Sequence, residues 1–212
     1  MNIALTRPDC ATIAAMAKHI APKNDIRHYL DGVWIEQAST YRMAVCTNGH
    51  ALVCAKLGEY AHEQLPAPVF IPRETALAMG KAKAGAIIKA PSDVAEPVTV
   101  EIFGGPSYTV PVECRDYSMP DWRRVMPRDP TGIVAQFNHS LLADCYAVAC
   151  AAYGGKKGPP MFLQHNGDSA ALATFDDSCF AIVMPWRQDP VPVPTWFETA
   201  PAADDAPIAE AA

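Results

Sequence analysis

The sequence predicts an α+β protein in which one helix followed by several strands recurs three times along the chain. Two observations support this prediction. Apolar residues recur at helical spacing in three widely separated segments. Between these segments lie shorter apolar or alternating runs that end near Gly, Pro or Asn, as β-strands do. Of the 212 residues, 50% are hydrophobic, so the chain can bury a sizeable core.

The first predicted unit begins with a strand at residues 2–5. A helix follows at residues 8–20, where apolar side chains recur every three or four positions. Asp9 is placed to cap this helix or to serve as an acid in its first turn. Three strands complete the unit, at residues 26–36, 41–47 and 51–56.

The second unit repeats this order. A strand is predicted at residues 69–71, and an Ala-rich helix at residues 73–84 stops near Gly85. The turn-prone run Gly104-Gly105-Pro106-Ser107 separates the last two strands of the unit. Its three later strands lie at residues 86–90, 98–103 and 108–112.

The third unit starts with a strand at residues 132–137 and an apolar helix at residues 139–153 that ends at Gly154-Gly155. The run Asn166-Gly167-Asp168 predicts a hairpin turn. The unit ends with strands at residues 161–165, 170–175 and 179–185. Each unit spans about 60 residues, which suggests an internal structural repeat, although no letter-level self-similarity accompanies it.

Residues 188–212 differ in composition from the rest of the chain. They are rich in Pro, Ala and acidic residues, and they cannot bury enough apolar surface to fold independently. We therefore expect a flexible tail. Trp196 and Phe197 interrupt it, and this aromatic pair is either a docking motif for a partner or a patch that lies on the body of the same chain.

The seven cysteines stand singly in apolar runs, without the spacing of a zinc site, and predict buried free thiols. Their odd number, the lack of a leader-like N-terminus and the lack of a long apolar span favour a reducing cytoplasm over secretion or a membrane. The formal net charge of -6 argues against general attraction to nucleic acid, although a net value does not exclude a basic strip on one face.

No group of residues predicts catalysis. His50 has no recognisable nucleophile or paired carboxylate near it in sequence, and Asp176-Asp177 is more typical of a loop than of a cation site. Gly104-Gly105 is not a phosphate loop, because no Gly-Lys-Ser/Thr follows it. We expect a binding protein with no catalytic residues, no metal and no cofactor.

Three segments together resemble the bacterial DNA sliding clamp, the beta subunit of DNA polymerase III. The first joins DIRHYLDGV at residues 25–33 with VCTNGHAL at residues 45–52. The second is MPDWRRVMP at residues 119–127, and the third is IVMPWR at residues 182–187. They occur in the family's order, and the resemblance covers residues 1–187.

The resemblance implies the DNA-clamp fold, in which strand-helix-three-strand units place helices on one face of antiparallel sheets. Residues 1–127 would form one clamp domain of two units, similar to the family's middle domain. Residues 128–187 would form a half domain, the third unit, and residues 188–212 the tail. In this shortened form, four chains of three units could supply the twelve units of a ring, with half domains completed across a two-fold contact.

The resemblance also implies two sets of functional residues. A clamp holds DNA topologically and needs only weak attraction to phosphates. The DNA-binding candidates are Lys23, Asn24, Arg27, Tyr29, Arg73, Lys81, Lys83, Lys156 and Lys157. Any single lysine among them is more typical of a solvated surface charge, and the residues gain weight only as a set near helix ends. The residues that would line an apolar pocket for short peptide motifs are Leu30, Thr47, Gly49, His50, Leu52, Pro120, Arg124, Val125, Ile182, Met184, Pro185 and Arg187.

The partners implied are duplex DNA, a DNA polymerase and a clamp loader that carry clamp-binding peptide motifs, and further copies of the chain. Three positions depart from the family pattern at the pocket: Asn48 stands where Asp is usual, Ala51 where Arg is usual, and Trp186 where Met is common. The alternative function is a clamp-like adaptor that binds or sequesters such peptide motifs without encircling DNA.

Overall fold

The computed structural model describes residues 1–38, 41–58, 65, 67–91, 96–127, 135–154, 158–165, 167 and 169–186. Within them, antiparallel strands form two sheets, as the α+β prediction requires. The helices are α1 (Arg7–His19), α2 (Arg73–Met79) and α3 (His139–Ala152). The strands are β1 (Asn2–Leu5), β2 (Gly32–Ala38), β3 (Tyr41–Thr47), β4 (Ala51–Leu57), β5 (Val69–Pro72), β6 (Ala86–Lys89), β7 (Val98–Ile102), β8 (Ser107–Val110), β9 (Phe162–Gln164), β10 (Ala171–Thr174) and β11 (Cys179–Val183).

The two sheets differ in size. The larger has the strand order β5-β2-β3-β4-β11-β10-β9, and the smaller has the order β1-β6-β7-β8. The larger sheet is continuous because β4 pairs with β11, from Ala51 opposite Val183 to Ala55 opposite Cys179. The C-terminal strands are thus joined by backbone hydrogen bonds to strands from the start of the chain.

The first two units exchange their first strands. β1, which precedes α1, pairs with β6, so that Asn2 lies opposite Lys89. β5, which precedes α2, pairs with β2, so that Gly32 lies opposite Pro72. Each unit therefore supplies three strands to one sheet and one strand to the other.

The three helices lie in a row, α2-α1-α3, on one face of the larger sheet. The thiol of Cys46 on β3 lies 3.7 Å from the carbonyl oxygen of Met16 on α1, which places alternate residues of β3 against the helices. Ile13, Ile35 and Val53 are fully buried in this layer. We call the opposite face of the larger sheet its outer face.

The start of α1 is fixed by Asp9. Its carboxylate accepts hydrogen bonds from the backbone N of Thr6 (2.8 Å) and from the Thr6 hydroxyl (2.6 Å), while Asp9 N donates to that hydroxyl, which forms a capping box. The other carboxylate oxygen accepts from Gly58 N (3.1 Å) just after β4. The N-cap is Thr6, and the buried Asp9 carboxylate completes the capping box from the first turn and joins the helix to the sheet, so of the two predicted roles the first-turn acid is confirmed.

Some predicted boundaries are wrong. Residues 26–31 are not a strand: the chain forms a 3-10 turn at His28–Leu30, because Leu30 N bonds to Arg27 O and the indole of Trp34 donates to Tyr29 O. The second helix ends at Met79 rather than at residue 84. The backbone N atoms of Gly80, Lys81 and Ala82 each bond to the carbonyl oxygen three residues earlier, and this tighter turn directs the chain toward β6.

Other differences concern loops and unpaired segments. Of the strand predicted at residues 132–137, residues 135–137 are described and have no strand pairing, and the remainder lies outside the described residues. Two 3-10 helices at Val112–Asp116 and Trp122–Val125 were not predicted. The predicted tail at residues 188–212 also lies outside the described residues.

The cysteines are free, and all but the half-buried Cys150 are buried. Burial raises the pKa of Cys10 to about 11 and the pKa of Cys145 and Cys179 to about 12, so these thiols stay protonated at neutral pH. The described residues contain no cluster of His, Cys, Asp or Glu that could hold a metal ion. None of the described helices is long and apolar enough to cross a bilayer.

We expect Asp9→Ala to lower the free energy of unfolding by about 2 kcal/mol, because the helix loses its cap and Gly58 N loses its acceptor. Chemical denaturation of both proteins measures this. The control is Glu74→Ala, which removes an exposed first-turn acid from α2 that makes no side-chain cap, and which should change stability by less than about 0.5 kcal/mol. Equal losses in the two variants would show that Asp9 acts only as a first-turn charge.

Candidate peptide-binding pocket

A row of three side chains crosses the outer face of the larger sheet. Thr47 on β3 lies opposite Leu52 on β4, and Leu52 lies opposite Ile182 on β11. Because side chains alternate along a strand, Thr47 faces away from the helices that Cys46 contacts. These three residues form the floor of a pocket of about 220 Å³.

The loop between β3 and β4 shapes one side of the pocket. The side-chain oxygen of Asn48 accepts from His50 N (2.9 Å) and Ala51 N (2.8 Å), and the Thr47 hydroxyl donates to Ala51 O (2.8 Å). This Asx turn needs a side-chain oxygen but no charge, which explains why Asn serves where the family pattern has Asp. Gly49 has a φ of +89°, and an added Cβ would lie 3.0 Å from Arg27 Nη1.

The 3-10 turn at His28–Leu30 forms a second side. Leu30 is buried, while Arg27 and Tyr29 stand at the rim. The guanidinium of Arg27 donates to both carboxylate oxygens of Asp25, at 3.0 and 2.8 Å, and more weakly to Asn48 O at 3.4 Å. These hydrogen bonds from Arg27 lower the pKa of Asp25 to about 2, so the ion pair holds this arginine across the ordinary pH range.

The third side comes from the 3-10 helix Trp122–Val125. With three residues per turn, Trp122 and Val125 lie on the same side and face the pocket. Trp122 is buried, its ring is tilted against that of Phe180 with the centroids 5.9 Å apart, and its indole nitrogen donates to Glu36 Oε1 at 3.2 Å.

Glu36 accepts hydrogen bonds from two consecutive residues of this 3-10 helix. It is a buried carboxylate on β2, and besides the indole of Trp122 it accepts two hydrogen bonds from the Arg123 guanidinium, at 2.8 and 3.2 Å. The guanidinium also lies over the Trp122 ring, 4.3 Å from its centroid. The pairing of a buried charge with two donors fixes the segment on the outer face of the sheet.

The rim of the pocket also carries accessible apolar side chains. Val125, Met184 and Tyr29 are among the exposed large apolar side chains of the described residues. The backbone bond from Met184 N to His50 O (2.8 Å) joins the end of β11 to the β3–β4 loop. Apolar walls, an adaptable methionine and a few polar groups suit an extended peptide that inserts Leu or Phe side chains.

Most of the predicted pocket residues meet here. The nine that line the cavity are Leu30, Thr47, Gly49, His50, Leu52, Pro120, Val125, Ile182 and Met184. Arg124 and Pro185 do not line it: Arg124 is exposed, because the 3-10 turn directs its side chain away from the side shared by Trp122 and Val125. Arg187 lies outside the described residues.

Five lining residues were not assigned to the pocket from the sequence. Arg27 and Tyr29 were predicted as DNA contacts, and Ala51 was noted only as a departure from the family pattern. Asp121 and Trp122 lie within the matched segment at residues 119–127, and a buried aromatic beside a predicted pocket proline could have identified Trp122.

The predicted DNA contacts do not form one cluster. Lys23 and Asn24 are exposed in the loop after α1, whereas Lys81 and Lys83 are exposed after α2. Gly80 at the end of α2 lies against Ala14 in the middle of α1, and Gly85 lies against Leu5 and Thr6, so Lys81 and Lys83 belong to a stretch beside the first half of α1, whereas Lys23 and Asn24 follow its end. Arg73 at the start of α2 is half-buried, and Lys156 and Lys157 lie outside the described residues.

Two further basic residues lie on α1. Arg7 in its first turn and Lys18 in its last are both exposed, about 16 Å apart along the axis at helical rise. Lys18 lies on the polar side of the helical pattern at residues 8–20, and this position could have identified it from the sequence. Basic side chains are therefore distributed along the helix layer, which suits diffuse attraction to phosphates better than base readout.

The pocket contains no catalytic arrangement among its described residues. The hydroxyl of Thr47 is bonded to Ala51 O, and the backbone of exposed His50 follows the Asx turn. A second cavity of about 230 Å³ is lined by apolar residues, among them Trp34, Phe70 and Val98. Arg115 also lines it and donates to Pro91 O (2.8 Å) and to Glu96 O, and no residue predicted as functional lines it.

The fold is similar to solved bacterial sliding clamps. A DNA polymerase sliding clamp from Pseudomonas aeruginosa, solved with a ligand, matches with a TM-score of 0.66 and 18% identity over 89% of this chain and 67% of that chain. The polymerase III beta from Caulobacter crescentus matches with a TM-score of 0.62 and 17% identity over 88% of this chain and 66% of that chain. The polymerase III subunit beta from Borrelia burgdorferi, in complex with a natural product, matches with a TM-score of 0.60 and 11% identity over 89% of this chain and 63% of that chain.

These similarities confirm the predicted clamp fold. This chain spans about two thirds of the length of the clamps it matches. No family model and no curated protein matches the sequence.

We expect Arg123→Gln to lower the free energy of unfolding by about 1 kcal/mol, since the buried Glu36 loses its charged partner while solvent screens the half-exposed guanidinium. The adjacent Arg124→Gln is the matched control, because the exposed Arg124 side chain does not line the pocket, and it should leave stability unchanged. Urea unfolding of the two variants measures the difference. A larger loss for Arg124→Gln would show that the wall is held in another way.

Proposed function

We propose that this chain is a non-catalytic, clamp-type processivity protein that tethers DNA polymerase and related partners through the pocket on its outer sheet face. The observation that supports this most is the convergence of three segments far apart in sequence, residues 25–33, 45–52 and 119–127, with the end of β11 at one apolar pocket. The clamp fold of the similar structures supports the same function.

The occupant we propose for the pocket is a short peptide motif that presents Leu and Phe side chains. Leu52, Ile182 and Val125 offer apolar surface to such side chains, and Met184 can adapt to their shapes. Arg27, held by Asp25, supplies a positive charge at the rim. The small Ala51 leaves more room at this wall than the Arg of the family pattern, so motif preference would differ from that of other clamps.

We further propose that several copies encircle duplex DNA in the cytoplasm. Residues 1–127 would act as one clamp domain and residues 128–187 as a half domain, with the helix layer facing DNA. The exposed Arg7, Lys18, Lys23, Lys81 and Lys83 along this layer support weak attraction to phosphates, and the net charge of -6 suits a protein that slides rather than binds DNA tightly.

The alternative is an adaptor that keeps the pocket without encircling DNA. The predicted DNA contacts lie in separate loops and do not form one cluster among the described residues, which favours the adaptor over a protein with a continuous DNA-binding surface. Both functions require the pocket, and they differ only in the relation of the protein to DNA.

The pocket is tested by titrating a fluorescent peptide of the Gln-Leu-x-Leu-Phe type into the wild type and two variants. We expect Met184→Ala to weaken binding about tenfold, because the rim loses apolar contact area. Met161→Ala is the matched control: Met161 and Met184 are each 37% exposed, but Met161 does not line the pocket. Absence of saturable binding to folded wild type would exclude the tethering function.

Encirclement is tested by retention on DNA. A closed ring should stay on nicked circular plasmid during gel filtration at moderate salt and should be released once the plasmid is linearised, because only topology holds it. Linear DNA blocked at both ends by bound protein should restore retention. Equal elution from circular and linear DNA, together with intact peptide binding, would establish the adaptor instead.

A further inference from the structure

The second cavity, of about 230 Å³, lies where the two sheets meet. On the larger sheet it is lined by Trp34 and Phe70, which lie opposite each other on β2 and β5. On the smaller sheet it is lined by Val98 and Val110, which lie opposite each other on β7 and β8. Because an apolar cavity of roughly 150 Å³ already admits benzene, this one has room for a compact molecule of one or two rings.

The aromatic wall of this cavity is held in place by residues that do not line it. The rings of Trp34 and Phe70 are tilted with their centroids 5.0 Å apart, and the Phe70 ring meets that of Tyr117 edge-on at 5.3 Å. A Cβ added at Gly32 would lie 2.4 Å from the Phe70 ring, so this ring packs directly on glycine backbone. The wall is therefore formed without a ligand, and such rings favour tilted or edge-on contact with a further ring.

The polar groups at the cavity are few and already bonded. Arg115 is the single charged side chain among the described lining residues, and its guanidinium donates to two backbone carbonyls. The amino group of Met1 donates to Ala90 O at 2.9 Å. Burial raises the pKa of the Cys114 thiol, so this lining group is uncharged at neutral pH. The positive groups repel a cation and the apolar walls disfavour any ion that must leave water, so the cavity suits a neutral ligand.

Trp34 also supports the peptide-binding pocket. Its indole nitrogen donates to Tyr29 O at 2.9 Å, within the 3-10 turn His28–Leu30 that forms one side of that pocket. Tyr29 and Leu30 line the pocket, whereas Trp34 lines the second cavity. One buried side chain thus serves both cavities, through its ring at one and through its hydrogen bond at the other.

We propose that the second cavity binds a compact neutral aromatic molecule, and that this ligand tightens peptide binding at the pocket by holding Trp34 toward Tyr29. A ring packed in the cavity restricts the Trp34 ring and favours the orientation in which the indole donates to Tyr29 O. Because coupling between two sites is reciprocal, the peptide should tighten binding of the aromatic molecule by the same factor. The binding step stands alone, and the coupling step rests on the proposed function.

The site is tested by titrating indole, as the probe, into the full 212-residue chain and measuring the heat of binding by calorimetry. Ala90→Leu adds apolar volume at a cavity wall and should weaken indole binding at least about tenfold. Ala82→Leu is the matched control, because Ala90 and Ala82 are 7% and 6% exposed but Ala82 lines neither cavity.

A second pair of variants fills the cavity from another strand. Val98→Phe on β7 should also weaken indole binding at least about tenfold, whereas Val112→Phe should leave it unchanged, because Val112 is 39% exposed and lines neither cavity. Urea unfolding shows which variants are folded. Side chains that enter a cavity should keep the wild-type unfolding midpoint, whereas overpacking at Ala82 should lower it.

The coupling is tested by repeating the fluorescent-peptide titration in saturating indole. We expect the peptide dissociation constant of wild type to fall about fivefold and that of Ala90→Leu to stay unchanged. Trp34→Phe keeps a ring at the cavity wall but lacks the donor to Tyr29 O, so indole should still bind while the fivefold effect is lost. A merely structural role of Trp34 would lower stability without separating indole binding from its effect on the peptide.

Three kinds of result would overturn the proposal. Indole that shows no saturable binding to folded wild type, or that binds Ala90→Leu and Val98→Phe as it binds wild type, excludes the site. Indole that weakens peptide binding equally in wild type and Ala90→Leu occupies the peptide pocket instead. Indole that binds the cavity but leaves the peptide affinity of wild type unchanged excludes the coupling. Wild type that binds indole but no peptide contradicts the tethering function and leaves the cavity site established.

Discussion

The buried carboxylate of Glu36 holds the candidate site together. The floor of the pocket is part of a sheet and would exist without it, but the wall at residues 119–127 has no strand or long helix to support it. Glu36 accepts from the indole of Trp122 and from the guanidinium of Arg123, and so ties two consecutive residues of this connection to β2. A buried charge is costly without partners, and this cost makes the position of the wall specific.

The register of the strands positions the floor of the pocket, as Glu36 positions its wall. Thr47, Leu52 and Ile182 lie directly opposite one another on three neighbouring strands, and a shift of one residue in either pairing would turn Leu52 or Ile182 toward the helices. The pairing of β4 with β11 is thus a structural contact and also a condition for the pocket. The Asx turn at Asn48 and the Arg27–Asp25 pair then position the rim with short-range hydrogen bonds.

Regular elements were largely predictable from sequence, because they depend on local apolar patterns, whereas the residues expected to line the pocket came from the resemblance of three segments to the bacterial clamp. Periodic apolar residues located all three helices, and β1 and β3 have the predicted bounds. The errors arose where individual hydrogen bonds, rather than an apolar pattern, decide the conformation. The turn at His28–Leu30 depends on the indole of Trp34, and the exposure of Arg124 depends on a 3-10 turn that has no strong sequence pattern. Of the strand predicted at residues 132–137, the described residues 135–137 pair with no strand, and Gln136 O instead accepts from Trp186 N after the end of β11.

The exchange of first strands also constrains how the chain can fold during synthesis. β1 is made first, yet its partner β6 begins at Ala86, and β2 waits for β5 in the same way. Neither sheet can form from the strands of one unit alone, because each needs the first strand of the other unit. The larger sheet is complete only when β11 has been synthesised. Such non-local pairing slows folding and leaves apolar strands of a nascent chain unpaired for longer. A ribosome-bound chain that stops before Ala86 would therefore expose β1 as an unpaired strand.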